Sequence, residues 1–141
     1  MFEKLIVAVD SSPASDRAVA RASDLARISG GTVQLLHVVE HVSAPAGRFA
    51  GGFDLEDTGE GEQLLAREIA VLRSSGVPVS AKVVRARVGH VAQAIAEAAR
   101  SEEADLIVMG SRGRSEIAAL MLGSSAFKLL HISNRPVLIV P

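Results

Sequence analysis

Gly110-Ser111-Arg112-Gly113, a gap of nine residues, and then Gly123-Ser124-Ser125 are the residues whose types and spacing can do chemistry. Glycine lets an anion come close to the main chain, and the N–H groups left without partners at a helix start face it with the positive end of the helix dipole. The hydroxyls of Ser124 and Ser125 add donors, so the combination suits a phosphate group. The apolar run from Asp105 to Met109 precedes the first half, and a helical run from Ser125 to Ile132 leads out of the second. One strand end and one helix start must therefore hold the loop between them.

The rest of the chain supplies the frame. Five short runs rich in Val, Ile and Leu recur, at Leu5 to Val9, Thr32 to Val39, Val79 to Arg87, Asp105 to Met109 and Val137 to Val140, with helically spaced segments between them. That alternation predicts an α/β fold, a parallel sheet covered by crossover helices. Ser12 and Pro13 start the first helix, with Ala18, Ala22, Leu25, Ala26 and Ile28 close to one face, and Gly30-Gly31 ends it. A second helix is expected over Glu62 to Ser75, with Leu64, Leu65, Ile69 and Leu72 inward, and a third over Val91 to Arg100. Lys82, Arg85 and Arg87 interrupt the run from Val79, which places that strand near an edge that meets water. The connection from His41 to Gly61, with Pro45, Gly47, Gly51, Gly52, Gly59 and Gly61 and the acidic Asp54, Glu56, Asp57 and Glu60, is either a solvated loop or a lid over a ligand. No repeat or boundary divides the 141 residues, so one domain is expected.

Composition removes several functions. A net charge of −1 and 3% aromatic residues offer neither a basic field nor stacking platforms, so nucleic acid is disfavoured as a partner. The absence of cysteine fits a reducing compartment, and Leu5 to Val9 is too short for a membrane span or a signal-peptide core; a cytoplasmic protein is expected. There is no G-x4-G-K-[ST] loop, no G-x-G-x-x-G after a strand and no G-x-S-x-G elbow. Ser29-Gly30-Gly31 follows a helix and is a helix stop. The four histidines, His37, His41, His90 and His131, lack metal-binding spacing, and His37, in an apolar strand, suits a bond to the backbone. Lys128 lies too far inside the last helix to act as a phosphate lysine.

These residues carry a resemblance. Lys4 to Ser12 (KLIVAVDSS), Leu35 to Val39 (LLHVV), Asp105 to Gly113 (DLIVMGSRG) and Arg135 to Pro141 (RPVLIVP) resemble the universal stress protein family over nearly the whole chain. The spacing G-x2-G-x9-G-[ST], met by Gly110, Gly113, Gly123 and Ser124, resembles that of the ATP-binding branch. The resemblance implies a five-stranded parallel sheet in the order 3-2-1-4-5, with helices on both faces and the nucleotide beyond the carboxyl ends of strands one and four, where a switch point also places it. It implies that Ala8 and Val9 line the pocket and that Asp10 bonds the ribose, although Asp10 also stands where a carboxylate can cap the first helix. It implies Val38 at the adenine, Met109, Gly110, Arg112 and Gly113 along the sugar and phosphates, and Gly123, Ser124 and Ser125 at the outer phosphates. Arg114 is left open.

The function this implies is an ATP-binding sensor or regulator in a stress response, with magnesium as the counter-cation a triphosphate brings. Slow ATP hydrolysis is one alternative, although no carboxylate or histidine in the motif clearly orients a water. A nucleotide-independent interaction module is the other, because Val137 to Val140 is apolar and, by the resemblance, an open sheet edge. Members of the family often pair antiparallel through that strand, so the resemblance implies a homodimer, together with a protein partner that the residues do not name.

Overall fold

A computed structural model describes residues 1–44, 51–113 and 122–141. Pro45, Gly47 and Arg114, named above, lie outside the described residues. Strand β1 (Lys4–Ala8) leads to α1 (Pro13–Ser29) and β2 (Thr32–Val42); then come β3 (Phe53–Asp54), α2 (Thr58–Ser74) and β4 (Val79–Arg87). The chain continues through α3 (Val91–Ser101), β5 (Leu106–Gly110), α4 (Ser124–Ile132) and β6 (Val137–Val140).

Five strands run parallel in the order β4-β2-β1-β5-β6, which is the expected order, and the charged β4 does lie at an edge. One correction applies to the expectation of an all-parallel sheet. The short β3 pairs antiparallel with β2, His41 opposite Asp54 and Val42 opposite Phe53, so the sheet is mixed. Partners of β1 on β2 stop at Leu36, and β4 holds the other edge of β2 as far as His41. Strand β3 therefore sits on the β1 side, past the carboxyl end of that strand. A pair of residues leaves no period in a sequence, which is why it was hidden in the connection from His41 to Gly61.

Strands β1 and β5 are buried on both faces, the reason they read as unbroken apolar runs. Leu5, Val7 and Val108 pack with α1 and α2, while Ile6, Ile107 and Met109 pack with α3 and α4. Helix α1 begins where the Ser12 hydroxyl accepts the Ser15 N–H at 3.2 Å, with Pro13 at its first position, and it ends at Gly30, whose φ of +70° favours glycine. Its buried face is made mostly of small residues, Ala14, Ser15, Ala18, Ala22, Ser23 and Ala26 beside Val19, so the helix can lie close to the sheet. Helix α2 starts four residues before the expected Glu62, because the Asp57 carboxylate accepts the Gly59 N–H at 3.1 Å and the cap outweighs the two glycines that follow.

Glu68 falls in the stripe of Leu64, Leu65 and Leu72 and is buried with them. Arg67 donates to its Oε1 at 3.0 Å and to Asp16 Oδ1 at 3.1 Å. Burial, partly offset by Arg67, pushes the Glu68 carboxyl above its ordinary range. A raised folded-state pKa means the folded chain holds this proton longer than the unfolded chain, so the associated stability is full at acid pH and is lost as pH rises through the folded value. Glu68→Gln, which keeps an acceptor for Arg67 without the charge, is expected to raise the thermal midpoint at about pH 7.5 and change it little at about pH 4. Melting curves at the two pH values check this.

Candidate functional site

Chain leaves β1 for α1 on one face of the sheet and leaves β5 toward α4 on the other, and the crevice this opens is a cavity of about 400 Å³. All eleven residues singled out from the sequence line it. Ala8 ends β1, and Val9 and Asp10 follow; Val38 comes from β2; Met109 and Gly110 end β5. Arg112 and Gly113 lie in the turn after β5, Gly123 precedes α4, and Ser124 and Ser125 form its first turn.

Each loop is held by identifiable bonds. Asp10 Oδ1 accepts the Ser12 N–H at 2.8 Å, which orders the turn before α1, while the helix cap itself is Ser12. Ser12 also donates its hydroxyl to the Arg112 carbonyl at 3.3 Å, tying the β1 turn to the β5 turn. Ser111 N–H donates to the Val140 carbonyl and Gly123 N–H to the Ser111 carbonyl, both at 2.7 Å, so the start of α4 is pinned to the loop that leaves β5. The Gly123 amide is thus used inside the protein and is not free for an anion. Among the described residues, the amides of Arg112, Gly113, Ser124 and Ser125 and the hydroxyls of Ser124 and Ser125 have no hydrogen-bond partner.

The glycines earn their places by different contacts. A Cβ on Gly110 would meet Ala14 Cβ at 2.8 Å and Ala14 C at 2.9 Å, so this glycine lets α1 close on the end of β5. A Cβ on Gly123 would lie 3.2 Å from the Ser111 carbonyl oxygen, and one on Gly113 would lie 3.1 Å from Asp10 Oδ2. Gly113 and Gly123 therefore keep the polar loops in contact with each other.

Leu36 and Val38 of β2 with Val91 and Ile95 of α3 make an apolar wall, and the turns after β1 and β5 with the first turn of α4 make a polar one. An aromatic base with a charged tail matches such a lining. The sequence did not point to Leu55, Glu56, His37 or Glu40, which also line the cavity. Leu55 and Glu56 follow β3, and the Leu55 N–H donates to the Glu40 carbonyl at 2.9 Å, folding the end of the long connection over the site. His37 is buried; its Nδ1 lies 2.8 Å from the Val9 carbonyl, the backbone bond expected for it, and its Nε2 meets Glu56 Oε1. Lys128 bonds the Gly89 carbonyl at 3.3 Å, away from the lining. Among the described residues no group of three or more His, Cys, Asp or Glu is placed to hold a metal ion, and no helix is long and apolar enough to cross a membrane.

A family model described as the universal stress protein family matches residues 1–141. A universal stress protein of Thermus aquaticus is 34% identical over 140 residues, covering 99% of each chain, and one of Bacillus subtilis is 31% identical over 148 residues, also covering 99% of each. Among solved structures, a universal stress protein of Archaeoglobus fulgidus superposes with a TM-score of 0.78 at 25% identity over 100% of both chains. A universal stress protein solved in complex with cAMP superposes with a TM-score of 0.76 at 26% identity, covering 99% of this chain and 97% of that one.

Proposed function

The chain belongs to the universal stress protein family, and from that premise we propose that it is a cytoplasmic regulator of a stress response that binds ATP in the crevice beyond β1 and β5. One observation carries the proposal: the eleven residues that the family resemblance implies, from the end of β1, from β2, from the end of β5 and its turn, and from the start of α4, line a single cavity whose walls divide into apolar and polar. Adenine lies against the apolar wall, bonded to backbone groups of Val38. Asp10 takes the ribose through Oδ2, since its other oxygen holds the Ser12 N–H. The free amides of the β5 turn and the α4 start take the phosphates, with Arg112 and the hydroxyls of Ser124 and Ser125. Gly123 acts by spacing, its amide being committed to Ser111. Magnesium accompanies the triphosphate, with phosphate oxygens supplying most of its ligands. The relative solved with cAMP supports an adenine nucleotide as the class of ligand.

Mass spectrometry of nucleotide released from freshly purified protein tests this, with ATP as the expected species. Protein that releases no nucleotide and shows no heat on titration with ATP, ADP or AMP would overturn the assignment. We also propose a homodimer formed by antiparallel pairing of Val137–Val140, because among the described residues β6 pairs with β5 alone and leaves its other edge open. A monomeric mass at micromolar concentration by light scattering would exclude it.

A further inference from the structure

His41, near the end of β2, is held at both ring nitrogens. Nδ1 lies 2.8 Å from Asp54 Oδ1, and Nε2 lies 3.0 Å from the Gly51 carbonyl. A carbonyl oxygen only accepts. Asp54 is held below the usual carboxylate range, first by its bond to His41 and then by Arg85, so it is ionised and accepts as well. Both ring nitrogens must donate, and only the imidazolium does that. His37, on the same side of β2, repeats the pattern: Nδ1 gives its proton to the Val9 carbonyl, leaving Nε2 to meet Glu56 Oε1. That second contact needs one proton between ring and carboxylate; without it, two acceptors face each other.

Both histidines thus hold the one short segment, Gly51 to Glu56, whose Leu55 and Glu56 form part of the cavity wall. Resting on nucleotide binding in this cavity, we propose that this segment is a strap closed over the site by protons on His41 and on the His37–Glu56 pair, so that acidification closes it and alkalinisation loosens it. The closed form binds more protons than the open one, and lowering pH therefore favours it.

Charges among the described residues face the two rings from three elements. Arg85 of β4 holds Asp54 Oδ2 at 2.8 Å, and Arg87 is the cross-strand partner of His41. Those two cations oppose a third on His41, and the Asp54 carboxylate offsets them. Glu40 of β2 is turned to the Gly89 N–H at 3.0 Å. From α2, the uncharged Gly61 comes against His37, where a Cβ would stand 2.8 Å from the ring.

Hydrogen exchange of the Leu55 amide, which pairs with Glu40 only when the strap is down, reads the device in ligand-free protein. Between about pH 5.5 and about pH 8.5, either side of the ordinary histidine range, protection corrected for intrinsic rate is expected to fall by about tenfold or more. His41→Gln is expected to show low protection at both values, and Asp54→Asn supplies a second variant if the first folds poorly. ATP affinity, taken as the ratio of wild type to His41→Gln so that the titration of phosphate cancels, is expected to be several-fold higher at the lower pH. Leu55 protection that ignores pH overturns the strap even if ATP binds. Protection that follows pH in a protein that binds no nucleotide supports the strap and overturns only the nucleotide assignment.

Discussion

Gly123→Val is expected to lower affinity for ATP by about a hundredfold or more while the chain stays folded. Even a single Cβ at this position would stand 3.2 Å from the Ser111 carbonyl oxygen and 3.4 Å from Arg112 Cα, and valine adds branches beyond it. Backbone, not a mobile side-chain tip, is what it meets, so the α4 start and the β5 turn must move apart. That movement strains the 2.7 Å bond from Gly123 N–H to Ser111 and spreads the amides of Arg112, Gly113, Ser124 and Ser125, which are proposed to converge on the phosphates. Hydrogen bonds to charged groups contribute about 1.5 to 3 kcal/mol each, so losing two of them exceeds the ~2.7 kcal/mol that a hundredfold represents. Ser111 to Gly113 and Leu122 to Ser125 are exposed or half-buried, so the displacement begins outside the buried core. Calorimetric titration checks the affinity and circular dichroism the fold. Undiminished ATP affinity in this variant would mean that the phosphates lie elsewhere.

Gly110→Val is expected to do the opposite, acting first on stability, by about 3 kcal/mol, the upper part of the range for overpacking a filled interior. The new side chain would point into α1, with Ala14 Cβ at 2.8 Å, Ala14 C at 2.9 Å and Ser15 N at 3.0 Å from its Cβ. Two of those three atoms are helix backbone, next to the Ser12 cap and Pro13, and cannot rotate away. Urea unfolding reads the loss as a lower midpoint at unchanged slope. A double variant with Ala14→Gly is expected to recover only part of it, because the clash with Ala14 C and Ser15 N remains. Full recovery would show that the methyl group alone set the requirement for glycine at 110. The two variants separate two glycines that one spacing pattern treats alike: one keeps a helix against the sheet, the other keeps two polar loops together.

Much of this protein was legible in one dimension. Unbroken apolar runs such as Leu106 to Met109 announce strands covered on both faces, and the alternating helices between them leave few ways to order a sheet. Ser12 with Pro13 marked a helix start because capping is a local matter of donors and acceptors within a few residues. Glu68 was not legible. In a stripe with Leu64 and Leu72 it reads as an interruption, and only the approach of α1 with Asp16 to α2 shows that it is buried beside Arg67. Strand β3 and the wall formed by Leu55 and Glu56 escaped for a related reason. A two-residue pairing and a pair of histidine contacts depend on where β2 carries His37 and His41, and nothing in the connection from His41 to Gly61 encodes that direction by itself.

By itself the chain determined which segments are strands and helices, since these follow from periodicity and caps, while their order in the sheet and the set of residues gathered at one crevice came through its resemblance to the universal stress protein family. Tertiary structure alone decided which amides remain available there, which glycine serves packing and which serves spacing, and that the end of a long acidic connection lies over the cavity. Those are questions of distances between segments far apart in sequence, and a distance exists only once the sheet has brought them together.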